Sequence, residues 1–304
     1  MPMPQPHLEK LNATLANTKL PAVDKPRVQA AIERYGQWLS DLNQAISHPS
    51  EDLLAEMVRL MNDYKTYVDV DLIFDSTENF LYRQKGQLKL DNSIIEEFLP
   101  WLVRPPLVSN LGDDVFVGPK RCFSAIYFMS GITRPERGGG LKIRAKDQDF
   151  TVSRRLYVRT SHREDFASFA QDNTYLAYIA AEMKTNLDKT MFQEACATAH
   201  DVKSAVPGSK YYLICEWLDM TPLSTAPTDI DEALIMRKAK RVNSNVRKHF
   251  STSAGRQDAR AMFTDYLSVN PLRVEVFQRL LDHINGLLDE TEPVEADVLE
   301  QGFF

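Results

Sequence analysis

The 304-residue sequence has little cysteine and no long apolar run. Its three cysteines (Cys122, Cys196 and Cys215) are odd in number and widely spaced, which argues against a disulfide framework and against a four-thiolate zinc site. No stretch approaches the roughly 18 apolar residues that a membrane span needs, and the first residues lack the pattern of a signal peptide. We therefore expect a cytoplasmic protein without a membrane partner.

Sequence motifs of several common enzyme classes are also missing. The chain contains neither a G-x-x-x-x-G-K-[ST] phosphate-binding loop nor a G-x-S-x-G nucleophile turn. Its histidines at positions 162, 200, 249 and 283 do not have the spacing of zinc ligands. Any chemistry must therefore come from other side chains.

The formal net charge of −6 hides an uneven distribution of charge. Nine basic residues stand against three acids between Arg134 and Arg163, and eight stand against one between Arg237 and Arg260. The tail from Asp282 onward has seven acids and neither Lys nor Arg. Charge separated in this way allows a basic cleft for nucleic acid on an acidic protein, although solvated helix faces would give the same pattern.

The stretch from Tyr175 to Asp219 predicts a strand, a helix and a second strand, and the rest of the chain is interpreted around it. The apolar run 174–181 is typical of a strand buried on both faces. Apolar residues then recur at helical spacing, and Asn186 or Asp188 can cap that helix. The run 211–215 is again apolar and predicts the second strand.

Glu182 and Lys184 stand at the end of the first of these strands, and two residues apart they point to the same face. Phosphodiester hydrolysis needs an activated water and neutralisation of the charge that builds on the phosphate. Two carboxylates can hold Mg²⁺, which prefers oxygen ligands, and a lysine beside them can position the water and offset charge. The alternative is a salt bridge on the surface.

The second carboxylate has to come from upstream. Asp172 precedes Glu182 by ten residues, which is about 30 Å along an extended strand, so it is a poor partner. Asp149 is the better choice and Asp147 the second. Glu194, near the start of the predicted helix, is a candidate for a further contact with the metal or the water.

The preference for Asp149 depends on an expected antiparallel pairing of residues 150–160 with 174–184. With Thr160 opposite Thr174, residue 149 falls beside the strand end that carries the acid and the lysine. Upstream, residues 141–145 and 150–159 are predicted to form a hairpin that turns at 146–148. Residues 229–240 are predicted to form a helix.

Three regions follow from these patterns. Residues 1–115 are mainly helical and would contact DNA or a second subunit, although residues 1–22 look loosely packed. Residues 116–225 hold the catalytic core. Residues 226–304 form a helical region with a basic DNA-contacting segment and an acidic tail.

Four segments of the chain resemble the BbvCI/DdeI-like type II restriction endonucleases over roughly residues 65–250. They are 146–159, 178–195 (YIAAEMKTNLDKTMFQEA), 212–218 and 76–82. The resemblance implies a PD-(D/E)xK fold and Mg²⁺-dependent cleavage of double-stranded DNA at a CTNAG-like site, for which Mn²⁺ can substitute. In heterodimeric members it implies two related subunits that each cut one strand.

Glu182 and Lys184 carry over as the E-x-K pair of that family. A Pro-Asp pair does not fix the upstream acid, because Gln148 precedes Asp149.

The sequence therefore predicts an α+β protein with a mixed sheet flanked by helices. We expect a type II restriction endonuclease subunit in which Asp149 and Glu182 bind Mg²⁺ and Lys184 positions the attacking water. Its partners would be double-stranded DNA and a second endonuclease subunit, either a homologue or a copy. A structure-selective repair or resolving nuclease and a non-catalytic DNA-binding subunit are the alternatives. The candidate DNA contacts are Arg137, Lys142, Arg154, Arg155, Arg237, Lys238, Lys240, Arg241, Asn245 and Arg247.

Overall fold

A computed structural model describes residues 3–289 and 295–302, so residues 290–294 of the acidic tail lie outside the described residues. It contains a five-stranded sheet in which the strands follow chain order. The first three strands are antiparallel to one another in sequence order, and the fourth and fifth are added parallel to the third. This mixed sheet flanked by helices agrees with the predicted α+β architecture. The strands are β1 (Val115–Phe128), β2 (Leu141–Ser161), β3 (Phe169–Leu187), β4 (Lys210–Leu218) and β5 (Glu232–Ile235).

Helices form the first hundred residues, as the apolar spacing predicts, and pack against one face of the sheet. For residues 3–22 the expectation of loose packing is wrong, because α1 buries Leu11 and His7 against the following helices; residues 1 and 2 lie outside the described residues. None of the helices in the described ranges is long and apolar enough to cross a membrane. The helices are α1 (Pro6–Leu15), α2 (Lys25–Ser47), α3 (Leu53–Tyr67), α4 (Phe80–Leu88), α5 (Ser93–Leu102), α6 (Lys189–Ala205), α7 (Ser244–Arg247), α8 (Ser253–Val269), α9 (Val274–Asp289) and α10 (Glu295–Gln301).

The predicted strand, helix and strand are β3, α6 and β4. The C-terminal half of β3 is buried on both faces, with Ala180 and Ala181 fully enclosed. The side chain of Asp188 caps α6 by accepting a hydrogen bond of 2.9 Å from the backbone amide of Met191. The chain returns so that β4 lies parallel to β3, with Leu213 opposite Glu182. Because β3 and β4 are parallel, this β-α-β crossover brings the C-terminal ends of both strands to one edge of the sheet.

The strand register differs from the expected one. Strands β2 and β3 do pair antiparallel, but Thr160 lies opposite Ala170, and Thr174 lies opposite Leu156. The expected pairing is wrong by about four residues because β3 begins earlier than its apolar run, at Phe169, and the connecting loop is correspondingly shorter. A register irregularity between Val152 and Ser153 reduces the shift to three residues near the strand end, where Phe150 lies opposite Ala181 and not opposite Lys184.

The hairpin predicted within residues 141–159 is also absent. Strand β2 runs through positions 146–148 without turning and pairs with β1, so that Asp147 lies opposite Arg121. Polar residues at those positions resembled a turn because their partners on β1 cannot be seen in the local sequence. Pairing of β1 with β2 is interrupted twice, and such irregularities increase the local twist of a strand pair.

Residues 229–240 form β5 and its flanking loops, so the predicted helix there is wrong. Arg237 accordingly does not reach the surface: it is only 2% exposed. Its guanidinium donates a hydrogen bond of 2.7 Å to Glu216 on β4 and lies 3.6 Å from Asp69. Lys65 on α3 lies 2.6 Å from Asp69 and 3.2 Å from Glu216. The predicted DNA contact through Arg237 is therefore corrected to a structural role.

The buried ion network predicts a large stability cost for removing Arg237. Substitution Arg237→Ala leaves Glu216 and Asp69 under-compensated in the interior, and loss of one partner from a buried pair costs about 3–5 kcal/mol. Urea unfolding should show this loss. The matched substitution of the exposed neighbour, Lys238→Ala, should change the free energy of unfolding by less than about 0.5 kcal/mol. Equal effects of the two substitutions would contradict the buried placement.

Candidate active site

A cavity of about 660 Å³ opens where β3 ends, between the helical region and the segment that precedes α7. Asp149, Glu182 and Lys184 all line it. Asn186, near the end of β3, and Met191, in the first turn of α6, also line it. The structure therefore brings together the three side chains that the sequence analysis selected, even though the strand register was predicted wrongly.

The Met183 peptide, between the acid and the lysine, is held from two sides. Its amide donates a hydrogen bond of 2.9 Å to the Asp149 carboxylate. Its carbonyl accepts a hydrogen bond of 3.1 Å from the side-chain amide of Asn92, next to α5. Because Met183 itself points into the core, Glu182 and Lys184 on either side of it point together towards the cavity.

Lys184 and Glu182 form a close ion pair, with 2.6 Å between Nζ and Oε1. Burial disfavours the charged lysine, but the hydrogen bond to Glu182 and the charges of Glu182 and Asp149 outweigh burial, so the pKa of Lys184 is raised. The other Glu182 oxygen accepts a hydrogen bond of 3.2 Å from the buried hydroxyl of Tyr211 on β4. One oxygen of Glu182 is thus held by a lysine of its own strand and the other by a tyrosine of β4.

Lys89 and Glu96 lie on the helical side of Asp149. The Lys89 ammonium is 3.5 Å from Asp149 and 3.8 Å from Glu96, which is itself buried. Burial, followed by the charge of Asp149, raises the pKa of Glu96 to about 7, and Lys89 acts in the opposite direction. Lys89 therefore offsets the negative charge of Asp149 and Glu96, as Lys184 does for Glu182.

The carboxylates that line the cavity determine whether a divalent cation fits there. Within residues 3–289 and 295–302, no group of three or more His, Cys, Asp or Glu side chains is arranged to hold a metal ion. Mg²⁺ does not require such a cage, because it is commonly bound by one or two carboxylates and keeps several waters. Asp149 and Glu182 present oxygen atoms to one cavity and are flanked by ammonium groups, so their chemistry fits Mg²⁺.

The remaining acids from the sequence analysis lie outside the cavity. Asp147 is exposed on β2, and Asp172 lies opposite Val158, near the far end of β3. Glu194 is exposed on α6 but is close enough to Lys184 to help raise its pKa. A direct contact of Glu194 with a metal or a water stays a prediction.

Two of the predicted DNA contacts, Arg241 and Arg247, line the cavity directly. Both guanidiniums approach the same Asp219 oxygen, at 3.3 and 3.4 Å, which holds them at the rim. From the helical side, Arg83 and Lys85 line the same cavity. Cationic side chains thus border the carboxylates on two sides, as a site for an anionic polymer requires.

The other predicted DNA contacts lie elsewhere on the surface and stay predictions. Lys238, Lys240 and Asn245 are exposed outside the cavity lining, and Lys238 pairs with Glu275. Arg137, Lys142, Arg154 and Arg155 are exposed on the β1–β2 and β2–β3 hairpins, away from the cavity lining.

Lys89, Asn92 and Tyr211 were not selected from the sequence as members of the site. Lys89 ends α4 in a left-handed conformation (φ 52°), and Asn92 directly precedes α5. Both therefore look like ordinary helix-end residues. Tyr211 looks like an ordinary residue of an apolar strand. Only the parallel pairing of β4 with β3, which sets Tyr211 opposite Ala180, could have pointed to its contact with Glu182.

The chain is similar to known proteins in its sequence and in its fold. A family model described as Bpu10I restriction endonuclease matches residues 87–304 of the chain. Curated protein sequences give no match. A chain of the native BbvCI A2B2 tetramer has a similar fold, with a TM-score of 0.54 and 18% sequence identity, over 86% of this chain and 93% of that one. At this identity the structural likeness supports the fold, whereas the family match extends through the cavity residues from Lys89 onward.

The position of Lys89 predicts a measurable effect on Glu96. Substitution Lys89→Met removes the charge that lowers the pKa of Glu96, so this pKa should rise above about 7. Carbon-detected NMR titration of the carboxyl would measure it. An unchanged pKa would contradict the contact of Lys89 with Glu96.

The raised pKa also has a consequence for stability. In the folded protein this carboxyl titrates near pH 7, above its ordinary value of 4.5. Its contribution to stability is therefore complete below about pH 4.5 and is lost as the pH rises through 7. Across this pH range, the free energy of unfolding should fall less steeply with rising pH for Glu96→Gln than for the wild type. Identical slopes would contradict the raised pKa.

Proposed function

Because the chain belongs to the Bpu10I restriction endonuclease family, we propose that Asp149, Glu182 and Lys184 carry out its hydrolysis of DNA phosphodiester bonds. The protein is a type II site-specific deoxyribonuclease. The observation that carries the assignment of these residues is their convergence on one cavity with a cationic rim. The paired carboxylates and the ammonium are the groups that metal-dependent phosphodiester cleavage needs.

Asp149 and Glu182 would hold Mg²⁺ through one or both carboxylates, with Mn²⁺ as a substitute. A bound ion of this kind acts as a Lewis acid and makes a coordinated water a better nucleophile. The Met183 amide and Asn92 keep Asp149 in register with Glu182, and the Tyr211 hydroxyl restricts rotation of the Glu182 carboxylate. These contacts support a preorganised pair of ligands, which loses little freedom when a cation enters.

Lys184 would orient the attacking water and offset negative charge on the phosphate. Its raised pKa keeps it protonated at neutral pH, so it donates hydrogen bonds and does not accept the proton of the water. An ammonium that is already in place stabilises charge as it develops, because little reorganisation is needed during the reaction.

Double-stranded DNA would lie across the cavity, with its phosphates near Arg241 and Arg247 on one side and near Arg83 and Lys85 on the other. Phosphate contacts of this kind supply affinity, whereas contacts with base edges supply specificity. Asn245 is exposed just beyond the rim, and asparagine pairs well with adenine in the major groove. Asn245 is therefore the candidate for base recognition.

The recognition site, the association of subunits and the division of cutting between them are proposed from the resemblance found in the sequence and from the A2B2 assembly of the structural neighbour. We extend to this chain a CTNAG-like recognition core, association with a related subunit or a copy, and cleavage of one strand by each subunit. Family membership favours this reading over a structure-selective repair nuclease or a non-catalytic DNA-binding subunit on the same core. The two alternatives give different outcomes in the experiment that follows.

The catalytic role of Lys184 predicts a strong and local effect of its removal. Lys184→Gln should lower the rate of strand cleavage on the order of 100-fold or more, because a charge donor at the reacting phosphate is lost. A plasmid assay with Mg²⁺ and with EDTA would measure it. In a complex with an active related subunit, the variant should produce nicked plasmid in place of linear plasmid.

Lys189→Gln is the matched control, because Lys189 is an exposed lysine only five residues away. It should cut like the wild type. Unchanged cutting by the Lys184 variant, in every assembly, would indicate a non-catalytic subunit. Cutting that depends on branched structure and ignores sequence would indicate a repair nuclease.

The rim arginines predict a change in the salt dependence of DNA binding. Arg241→Gln and Arg247→Gln should each weaken binding similarly for all sequences. Each should also reduce the slope of log K against log salt by up to about 1, because each removes one phosphate contact. Binding with Ca²⁺ in place of Mg²⁺ would measure both slopes. Arg59→Gln, which changes an exposed arginine of α3 outside the cavity lining, should leave the slope unchanged.

A further inference from the structure

The tips of the β1–β2 and β2–β3 hairpins join into one protruding unit. Thr160 donates a hydrogen bond of 2.7 Å from its hydroxyl to the Gly138 carbonyl. Gly138 has a φ of 60°, and a Cβ there would overlap the backbone of Ala170, so the approach requires glycine. Arg137 stacks on the ring of Phe169, which extends the contact between the two tips.

The β2–β3 part of this unit extends beyond the rest of the sheet. Strand β1 pairs with β2 only as far as Arg154, and β4 pairs with β3 only from Ile179 onward. Residues 155–161 and 169–178 therefore form a two-stranded ribbon that no third strand covers in the described chain. Two-stranded ribbons are marginal on their own and are usually completed by further packing.

Exposed apolar side chains concentrate on this unit. Of the fifteen large apolar side chains that are exposed in the described residues, eight lie within segments 126–132 and 155–166 of this unit, although these segments are a small part of the chain. Together they present roughly 800 Å² of accessible surface, which is about the area that each partner contributes to a stable interface. We call them the hairpin-tip patch: Ile126, Tyr127, Phe128, Met129, Ile132, Leu156, Tyr157 and Phe166.

The charges around the patch favour a protein partner over DNA. The segments 126–140 and 155–173 contain five arginines and four acids, a net charge of only +1. Three of the arginines stack on aromatic rings, such as Arg159 on Phe169 at 3.8 Å and Arg155 on Tyr157 at 4.9 Å. Aromatic residues, methionine and arginine together are enriched in protein–protein interfaces, whereas a surface that grips phosphates carries a clear positive excess.

The patch is also far from the candidate active site. Ten residues of β3 separate Asn173, on the ribbon, from Met183, at the cavity, which corresponds to about 30 Å. A partner bound to the patch therefore leaves the cavity open to DNA.

We infer that the hairpin-tip patch is the contact between two copies of this chain, related by a two-fold axis. A near-neutral surface that carries both signs of charge can face its own copy without net repulsion, and its apolar side chains then bury each other. The contact stabilises the open ribbon and removes Arg137 and Arg155 from the set of DNA contacts. It deepens the proposed function and rests on the part of it that concerns association with a copy, because it assigns that association to one surface.

Sedimentation equilibrium of the full chain without DNA tests this contact. The wild type should form dimers in the micromolar range. The double variant Ile132→Ser, Tyr157→Ser should raise the dimer dissociation constant at least tenfold, because these side chains are 100% and 62% exposed in the single chain and lose their burial in the dimer. Their exposure also means that the variant should fold. Leu223→Ser, at an exposed leucine outside the patch, is the control and should dimerise like the wild type.

Three outcomes would overturn the inference. The wild type could remain monomeric up to about 100 μM, or the double variant could dimerise as tightly as the wild type. Alternatively, the double variant could keep its dimerisation and lose retention of DNA in a filter-binding assay, which would identify the patch as a DNA surface. Because association is measured without DNA, these results do not depend on whether the chain cleaves a duplex.

Discussion

The hydrogen bond from the Met183 amide to the Asp149 carboxylate is the contact on which the candidate centre depends. It joins β2 to β3 at the point where β3 presents Glu182 and Lys184. Asn92 holds the other side of the same peptide and thereby ties the helical region to the strand. The antiparallel ladder fixes the register of the two strands, and this two-sided contact fixes the orientation of the peptide that separates Glu182 from Lys184.

Charge balance at the centre follows from this geometry. Lys184 accompanies Glu182, and Lys89 accompanies Asp149 and Glu96, so each buried or half-buried carboxyl has an ammonium within 4 Å. A polyanionic substrate competes for the same lysines, and the rim arginines add to that attraction. Beneath the cavity, the network of Lys65, Asp69, Glu216 and Arg237 fixes β4 to α3. The charged side chains at the cavity are therefore available to a ligand, whereas the buried network stabilises the fold.

The sequence sufficed for elements whose signals are local. The β3–α6–β4 unit was predicted because its apolar runs, its cap at Asp188 and its closing glycine lie within 45 residues. Asp149 lies beside Glu182 although the register was predicted wrongly, because an error of three to four residues still left Asp172 far away. What the sequence could not supply were contacts between distant segments. Arg237 looked like a surface cation since its partners lie 21 and 168 positions away, and Lys89 and Asn92 looked like helix-end residues.

The central claim is that Asp149, and not a neighbouring acid, completes the centre with Glu182. Single-turnover cleavage of plasmid by Asp149→Asn and Asp147→Asn tests it directly, because both are aspartates of β2 and only Asp149 lines the cavity. The account predicts that Asp149→Asn loses cleavage while retaining the wild-type fold, and that Asp147→Asn cuts at close to the wild-type rate. Full activity of Asp149→Asn, or loss of activity in Asp147→Asn alone, would contradict it.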